Sequence, residues 1–289
     1  MKSLDYFFKK AVKETWAIPH FNVSNIEQLK GVCEAAAHLK SPVMIGASEG
    51  ERDYIGIEAT VALVRAYREK YGIPLFLNAD HTKSVSAAKK AIDAGFDSIH
   101  IDLSKKPYKE NAAGTREVVQ YARKKNKAIH VEGELGYLMT DSSKVYKEKI
   151  AVDSASLTKP EEALRFVRET GINRLAPAVG NLHGIAANRP KLNFPLIQKL
   201  RRTIPLGVSL VLHGGSGNSP AAFKKVIALG FTNIHISTEL RIAYRKALEL
   251  SLKKQPDEVA PYKIGTPAIA AVQKRAEFFI TLFGSAGKK

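Results

Sequence analysis

Cysteine is almost absent from this chain of 289 residues, in which Cys33 is the single example. One cysteine excludes an internal disulfide, so the composition is typical of a reducing compartment and we expect a cytoplasmic protein. Long apolar runs are absent as well, since none approaches the roughly 18 residues that cross a bilayer. The first residues also lack the apolar core of a signal peptide. We therefore expect no membrane partner.

Acidic residues are in deficit, because 28 Asp and Glu face 45 Lys and Arg and give a net charge of +17. This excess favours an anionic partner such as nucleic acid, a membrane surface or a phosphorylated metabolite, although a lysine-rich proteome produces the same excess. The basic residues are scattered in short clusters such as Lys124-Lys125, without a basic tail or an RNA-binding motif with interleaved aromatic residues. A phosphorylated substrate is the expected partner, and nucleic acid is not.

Glycine-rich nucleotide loops are missing too. The chain has no Walker A motif, and its first apolar run leads into Asn22-Val23-Ser24 rather than into a G-x-G-x-x-G turn. The absence of that turn disfavours the main competing topology, an open, doubly wound sheet.

Short apolar runs alternate with amphipathic stretches of helical spacing, for example at 26–38, 85–94 and 220–229. The runs occupy residues 17–21, 42–47, 74–78, 98–101, 128–132, 174–178, 209–213 and 233–237. This alternation predicts a parallel sheet with right-handed crossovers, and eight runs fit one closed barrel. We therefore predict an α/β fold, a single (β/α)8 TIM barrel, with residues 1–289 as one domain.

A long irregular segment, residues 136–158, interrupts the alternation after the fifth run. A loop of that length in a compact domain indicates a lid or a binding loop, or else a disordered segment. A final helix is predicted over 267–283, and residues 284–289 are expected to fray.

Three histidines lie at the ends of predicted strands three, six and seven: His81, His183 and His213. The carboxyl ends of barrel strands form one mouth, where the active sites of such barrels are assembled. Three imidazoles with an open fourth position suit a catalytic zinc or a similar divalent ion. Four other histidines are interpreted as structural: His20, His38, His100 and His130.

Asp80 directly precedes the first of these histidines. Neighbours in a strand point to opposite faces, but where the chain turns at the strand end both side chains can reach the mouth. A carboxylate beside a metal can act as a general acid or base. Alternatively Asp80 caps the following helix, a role that Thr82 or Ser84 could also fill.

Residues 213–217, His-Gly-Gly-Ser-Gly, form a second pattern at the same predicted mouth. Gly214 and Gly215 let backbone N–H groups approach an anion closely, and Ser216 adds a hydroxyl donor. The loops after barrel strands seven and eight are a recurrent phosphate site. The pattern therefore predicts phosphate binding beside the metal.

Several motifs follow one another along nearly the whole chain. They are Asp80-His81, Asp102-Leu103-Ser104, Val-Glu-Gly-Glu-Leu-Gly at 131–136, Pro-Glu-Glu-Ala at 160–163, Gly-Asn-Leu-His-Gly at 180–184 and Leu-His-Gly-Gly-Ser-Gly at 212–217. In these motifs the chain resembles the class II, metal-dependent ketose-bisphosphate aldolases, which include fructose-bisphosphate and tagatose-bisphosphate aldolases.

The resemblance implies that His81, His183 and His213 hold the catalytic metal. It implies that Asp102 and Glu134 line an alternate or second metal position. Asp80 matches the acid/base residue that acts on the substrate C4 hydroxyl or on the incoming aldehyde. The remaining matches are substrate-binding positions: Gly184, Gly214, Ser216, Ser237 and Thr238 around the triose phosphate and, more weakly, Asn22 and Ser48.

The cofactor implied by the resemblance is Zn²⁺ or another divalent ion, with a monovalent cation as an additional candidate. The implied partners are a phosphorylated sugar and further copies of the chain, forming a homodimer or a homotetramer.

Three features depart from the family pattern. Asn78 lies two residues before Asp80, where the family commonly has His or Thr, and Thr82 follows His81, where the family has a glycine or another small residue. His235 stands where the family has an asparagine that touches the ketose, so it is a candidate substrate-binding residue, although a histidine packed inside the barrel is an equal alternative. The family's acidic loop, which ordinarily moves the C3 proton, is replaced by residues 137–141. Neither Asp141 nor Glu148 aligns convincingly with its carboxylate.

The main hypothesis is metal-dependent cleavage of fructose 1,6-bisphosphate to dihydroxyacetone phosphate and glyceraldehyde 3-phosphate. The alternatives are cleavage of tagatose bisphosphate or another phosphorylated ketose, a non-catalytic anion-binding barrel, and a metal hydrolase on the same fold.

Overall fold

The computed structural model describes residues 2–138, 140–188 and 191–289. Within these ranges the strands are β1 Ile18–Asn22, β2 Val43–Ala47, β3 Leu75–Thr82, β4 Ser98–Ile101, β5 His130–Leu135, β6 Arg174–Pro177, β7 Ser209–Leu212 and β8 Phe231–Ile236. Neighbouring strands pair in parallel and in chain order, and β8 pairs with β1 to close the sheet. The predicted (β/α)8 TIM barrel is confirmed.

Helices cover the barrel between its strands. Their bounds are α1 Leu4–Glu14, α2 Ile26–His38, α3 Glu49–Ile55, α4 Ile57–Tyr71, α5 Val85–Ala94, α6 Tyr108–Lys125, α7 Pro160–Thr170, α8 Phe194–Thr203, α9 Pro220–Ala228, α10 Thr238–Lys254 and α11 Pro261–Leu282. Among the described helices, none combines the length and the apolar character that a membrane span requires. The cap of α5 is Ser84, whose side chain accepts the N–H of Ala87, so Asp80 is free of that role.

The chain ends differently from the prediction. α11 begins at Pro261 rather than at 267 and contains Pro267. An internal proline removes a helix hydrogen bond, but α11 packs closely on α2, where a Cβ added to Gly31 would lie 2.7 Å from an α11 carbonyl oxygen. The expected fraying of residues 284–289 is wrong, because their backbone donates hydrogen bonds to the residues that follow α2.

Two apolar layers hold the barrel. The larger lies between the strands and the surrounding helices. The smaller closes the amino-terminal end of the barrel beneath α1 and consists of Leu4, Phe7, Phe8, Ala11, Trp16, Ile18, Met44 and Phe76. Between this layer and the opposite end the barrel interior is polar, and it holds Arg174 and Glu132, neither with exposed surface.

The irregular segment at 136–158 lies against the loops that follow β6 and β8. Val145 pairs with Ile185 after β6. Thr238, at the start of α10, donates its hydroxyl to the carbonyl of Ser142 at 2.7 Å. The segment is therefore packed at the carboxyl end of the barrel, where a binding loop is expected.

Candidate active site

Strand β3 carries Asp80 and His81 within the strand rather than after it. Its register with β4 shifts between Ala79 and Thr82, and His81 has φ +42°, in the left-handed region. This irregularity breaks the alternation by which neighbouring side chains point to opposite faces. Both side chains reach one cluster, through a bulge inside the strand rather than the turn at its end that the sequence suggested.

A carboxylate orients His81. Its Nδ1 lies 2.8 Å from Asp102 Oδ2 and 4.0 Å from Glu134 Oε2. A proton on Nδ1 shared with Asp102 leaves Nε2 directed into the cluster. Burial is the largest influence and opposes the charged ring, but the carboxylates of Asp80 and Asp102 outweigh it and raise the pKa of His81. A metal ion at Nε2 therefore competes with a proton.

His213, directly after β7, faces His81. Its Nδ1 lies 3.2 Å from His81 Nε2, and its Nε2 lies 2.6 Å from Glu132 Oε1. Two nitrogen ligands of a tetrahedral zinc ion, with Zn–N of about 2.1 Å, are about 3.4 Å apart. The facing nitrogens thus have the spacing of metal ligands. The other nitrogen of each ring contacts a carboxylate, the arrangement that orients metal-binding histidines.

His183, in the loop after β6, brings a third imidazole to this pair. Its ring centroid lies 4.8 Å from that of His81 and 6.0 Å from that of His213. Burial, and then the charge of His81, lower the pKa of His183 to about 3. The ring therefore stays in the neutral form that binds metals.

Only two of the three predicted metal ligands belong to the same close group of candidate ligand atoms. Among the described residues, His81 and His213 share a group with Asp80 and His100 in which all candidate ligand atoms lie within 4.8 Å of one another, and His183 lies outside it. The donor set fits a divalent metal. The assignment of His81, His183 and His213 as the ligands stays a prediction.

Asp102 and Glu134 form a further group of candidate ligands with His81. Glu134 is buried, and its Oε2 lies 3.3 Å from His100 Nε2 but has no hydrogen-bond partner among the described residues. Burial, and then the charge of Asp102, raise the pKa of Glu134. The pKa of Asp102 is lowered, because the hydrogen bond and charge of His81 outweigh burial. Their assignment to an alternate metal position stays a prediction.

Asp80 lies within a ring of polar side chains. Asn22 Nδ2 donates to Asp80 Oδ2 at 2.9 Å, and Nδ1 of His100 and of His235 lie 3.4 and 3.5 Å from Oδ1. Burial is the largest influence and favours the neutral acid. The charge of His81, together with the nearby imidazoles of His100 and His235, outweighs burial and holds the pKa of Asp80 well below its usual range. The carboxylate is therefore ionised and able to accept a proton.

The loops after β7 and β8 form a cradle beside Asp80. Gly214 has φ +59°, and a Cβ there would clash with the carbonyl oxygen of Leu182, so the position requires glycine. The N–H of Gly215 donates to His235 O at 3.1 Å and is already engaged. Ser237 Oγ is buried without a partner among the described residues. This hydroxyl is therefore an open polar group.

Most predicted site residues share one narrow cleft, which we call the inner cleft. It is lined by Asp80, the histidines at 81, 183 and 213, and every predicted substrate position except Ser48.

A wider cavity of about 360 Å³, the outer cavity, adjoins the inner cleft and shares His81 and His183 with it. Its other lining residues include Ser48, Asp102, Glu134, Asp141 and three lysines, Lys83, Lys105 and Lys106. Ser48 precedes α3, and its N–H donates to Glu51 Oε2 at 2.8 Å. The structure thus separates Ser48 from the other predicted substrate positions.

Residues 2–288 match the profile of a family described as fructose-bisphosphate aldolase class-II. The chain belongs to this family. It is a class II aldolase, an enzyme of the lyase class that depends on a metal, and the clustered histidines and carboxylates agree with that dependence.

Individual relatives match almost end to end. A fructose-bisphosphate aldolase of Geobacillus stearothermophilus is 36% identical over 289 residues, covering 99% of this chain and 98% of the relative. A 6-phospho-5-dehydro-2-deoxy-D-gluconate aldolase of Bacillus licheniformis is 36% identical over 291 residues, covering 99% and 96%. The crystal structure of the YdjI aldolase of Escherichia coli K12 superposes with a TM-score of 0.83 at 33% identity, covering 99% and 98%.

Within this aldolase, His235 both lines the inner cleft and packs inside the barrel. Its ring is parallel to that of His20, with centroids 3.5 Å apart, and lies 4.0 Å from the ring of His213. Neither ring nitrogen of His235 has a hydrogen-bond partner among the described residues. The alternative prediction, in which the ring bonds to a neighbouring strand, therefore finds no such bond among these residues. Burial, and then His213, lower the pKa of His235 to about 3. A role in substrate binding stays a prediction.

Two histidines interpreted as structural belong to the candidate ligand groups of this aldolase: His20 and His100. Glu132, which bonds His213, was also missed as a site residue. A signal existed, because His100 and Glu132 lie two residues before Asp102 and Glu134 and therefore point to the same face of their strands. Both residues lie inside the barrel rather than at the strand ends, where the site residues were expected.

The other two histidines lie outside the site. His130 is stacked on Phe8 with ring centroids 5.6 Å apart, and His38, the last residue of α2, lies 2.9 Å from Glu277 Oε1 through Nδ1.

Proposed function

We propose that this aldolase catalyses the reversible cleavage of a ketose 1,6-bisphosphate, with fructose 1,6-bisphosphate as the expected substrate. The products are dihydroxyacetone phosphate and glyceraldehyde 3-phosphate. One observation carries the proposal: a buried Asp80 lines one cleft with paired imidazoles at metal-ligand spacing and with a glycine-rich cradle. Membership of the class II family supports it.

His81, His183 and His213 would hold the metal, with Asp102 and Glu134 as an alternate position. The bound ion supplies positive charge that polarises the substrate carbonyl. Zinc is the metal we propose, because three nitrogen ligands with an open position suit it.

Asp80 is the residue that accepts the proton of the C4 hydroxyl as the C3–C4 bond breaks. Its ionised state at neutral pH suits it to accept that proton. Asn22 fixes one carboxylate oxygen, and the other lies within reach of two imidazoles, so the carboxylate is oriented before the substrate arrives. In the reverse direction Asp80 returns the proton to the new hydroxyl.

The cradle holds the phosphate on the ketone side of the substrate. Gly184, Gly214 and Ser216 shape it, and the unpartnered Ser237 hydroxyl is free to donate a hydrogen bond. Gly215 contributes shape, because its N–H is already bonded. Thr238 likewise donates its hydroxyl to the irregular segment and is placed to order that segment over the substrate.

A second anionic group fits the outer cavity. Lys83, Lys105 and Lys106 line it, together with the carboxylates of Glu49, Asp102, Glu134 and Asp141. The three ammonium groups are the side chains of this cavity that can pair with an anionic substrate group. This arrangement supports a substrate with a charged group at each end, as in a bisphosphate.

The phosphate groups of the substrate can be tested separately. The wild-type protein is incubated with fructose 1,6-bisphosphate and with fructose 1-phosphate, with and without chelator, and the products are identified. Triose phosphates that disappear with chelator support the proposal, whereas inorganic phosphate as the product would favour a hydrolase. Tagatose 1,6-bisphosphate and 6-phospho-5-dehydro-2-deoxy-D-gluconate, the second suggested by the Bacillus licheniformis relative, serve as competing substrates.

Replacing Lys83, Lys105 and Lys106 together by Met should lower kcat/KM for the bisphosphate by about 10- to 100-fold, the range of one or two lost ionic contacts. The same variant should cleave fructose 1-phosphate almost normally. A control variant with Met at Lys13, Lys124 and Lys253, which are exposed on α1, α6 and α10, loses equal charge away from the mouth. Equal losses in both variants would indicate general electrostatic steering instead.

We further propose a cytoplasmic location, a single domain over residues 1–289, and association into a homodimer or homotetramer. The lone, buried Cys33 supports a reducing compartment. Exposed apolar side chains on α10 and α11, such as Leu250 and Tyr262, offer surface for association. Light scattering on purified protein would measure the oligomer, and elemental analysis would identify the metal.

A further inference from the structure

Arg174, the first residue of β6, points into the barrel beneath the candidate active site. The residue has no exposed surface. TIM-barrel interiors are ordinarily filled by branched apolar side chains, and an unpaired charge in such a place is strongly unfavourable. The position of this guanidinium therefore requires an explanation in terms of its partners.

Side chains from three strands fix the guanidinium. Arg174 Nη1 donates to Asn233 Oδ1 of β8 at 2.9 Å. Its Nη2 donates to Asn78 Oδ1 of β3 at 3.1 Å and to Ser98 Oγ of β4. The charged group is thus held rigidly by neutral acceptors, which leaves its charge available to a further partner.

Glu132 is that partner. Its Oε2 lies 2.7 Å from Arg174 Nη1, and its Oε1 lies 2.6 Å from His213 Nε2. The carboxylate, itself without exposed surface, therefore connects the barrel interior to an imidazole that faces His81.

We propose that Arg174 is a positioning residue for the metal site. By fixing the Glu132 carboxylate, it keeps His213 as the tautomer with its proton on Nε2 and its Nδ1 lone pair directed at His81 Nε2. The inference rests on the proposed metal site. It adds to that site a residue that acts on the proposed ligand His213 only through Glu132.

Electrostatics agree with this arrangement. Glu132 has no exposed surface, and the guanidinium of Arg174 is the cationic group that its Oε2 contacts, at 2.7 Å. Without Arg174, this buried carboxylate would lose its cationic partner and reorient. A reoriented carboxyl no longer dictates which nitrogen of His213 carries the proton.

Stability alone explains this ion pair poorly. Replacing a buried ion pair by apolar residues of similar volume is often neutral or stabilising. The contact between Glu132 and His213 supplies another reason, because contacts of this kind typically affect metal affinity by about 10- to 100-fold.

The experiment compares Arg174→Met and Arg174→Lys with the wild type. The dissociation constant for Zn²⁺ is measured by titrating metal-free protein, and the tautomer of His213 is read from imidazole ¹⁵N chemical shifts without metal. We expect Arg174→Met to weaken Zn²⁺ binding by about 10- to 100-fold and to reduce the population with a proton on Nε2. Arg174→Lys keeps the positive charge, so it should recover part of the Zn²⁺ affinity and part of the population with a proton on Nε2.

Arg201→Met is the matched control. Arg201 on α8 bonds backbone carbonyls of Ile204, Pro205 and Val208 on the outside of the barrel. Its loss should lower stability while Zn²⁺ affinity and the His213 tautomer remain unchanged.

A double variant covers the case in which Arg174→Met does not fold. Arg174→Met with Glu132→Leu removes both buried charges and the acceptor of the His213 Nε2 proton, and we expect it to fold and to bind Zn²⁺ as weakly as the single variant. Wild-type Zn²⁺ affinity together with a wild-type His213 tautomer, in either folded variant, would overturn the inference. Failure of the proposed metal site looks different: the wild type itself would bind no divalent metal, while the tautomer measurement would still report on Arg174.

Discussion

The two ends of this barrel are built from the same strands but differ in what they bury. At the amino-terminal end, beneath α1, the strand beginnings contribute Ile18, Met44 and Phe76 to a layer with Phe7 and Trp16. At the carboxyl end the strands bury imidazoles and carboxylates, several of them without hydrogen-bond partners among the described residues. The amino-terminal end is packed like a hydrophobic core, whereas the carboxyl end holds polar groups that a ligand can bind.

Backbone geometry shows the same contrast. The carboxyl end contains His81 in the left-handed region, at φ +42°, and Gly214, where a side chain would clash. Strained backbone and unpaired polar groups both reduce stability, and they persist where the surrounding structure holds them in place for a function. The apolar end and the helical shell supply that support. We therefore expect substitutions at the two ends of the barrel to have different consequences.

The largest effect is expected at the proposed metal ligands. Replacing His81, His183 or His213 by Ala should remove bound divalent metal and nearly all aldol cleavage, because each supplies one of three protein nitrogens. Metal content by elemental analysis and product formation measure the two effects. Full metal occupancy with normal turnover in any one variant would remove that residue from the ligand set.

Asp80→Asn should retain metal and lose about 10²- to 10⁴-fold in kcat, the typical contribution of a general acid or base. The amide keeps the shape and a hydrogen bond to its neighbours but cannot accept the C4 hydroxyl proton. Steady-state kinetics on metal-loaded protein provide the test. An unchanged kcat would return Asp80 to a structural role.

Phe7→Ala should produce the opposite pattern at the other end. Removing this fully buried ring should lower the free energy of unfolding by about 3–5 kcal/mol, measured by denaturant titration. Metal affinity and kcat per folded molecule should stay at wild-type values. A marked loss of metal affinity in folded Phe7→Ala would show that the two ends are coupled, contrary to the comparison.

The smallest effect is expected for His235→Asn. This residue belongs to both environments, since it lines the inner cleft and stacks on His20. If it contacts substrate, the variant should change substrate preference or the pH profile of kcat/KM with little loss of stability. A lower melting temperature with unchanged kinetics per folded molecule would mark it as a packing residue.

Exchange of the C3 proton of dihydroxyacetone phosphate with solvent tests a stronger role for His235. The ring is predicted to move that proton in place of the missing loop carboxylate. Unchanged exchange in His235→Ala would exclude this role.

Much of the fold could be predicted because strand and helix patterns are local. The runs at 98–101 and 209–213 correspond almost residue for residue to β4 and β7, and glycine or proline marked many of the connections. Element boundaries were less predictable. β3 continues to Thr82 through a bulge, and α11 passes through Pro267, because contacts with β4 and α2 stabilise conformations that the local sequence disfavours.

The candidate site, like the fold, could be predicted only in part from the sequence. Motifs and strand ends located Asp80, His81, His183, His213 and the glycine-rich loop, since active-site residues of a barrel follow its strands. His100 was interpreted as structural and Glu132 was not assigned to the site, because the sequence of a strand does not indicate which side an isolated polar residue faces.

By itself, the sequence determined the order of strands and helices, the closed barrel and the chemistry available at its carboxyl end. These follow from periodicity, from the short connections between elements and from residue types placed after strands. Tertiary structure decided which of those groups meet. The contact of Arg174 with Glu132, and of Glu132 with His213, joins residues on β6, on β5 and after β7 whose side chains converge only when the barrel closes. Spacing along the chain cannot report that convergence, because it depends on strand register and on the direction of each side chain in the closed sheet.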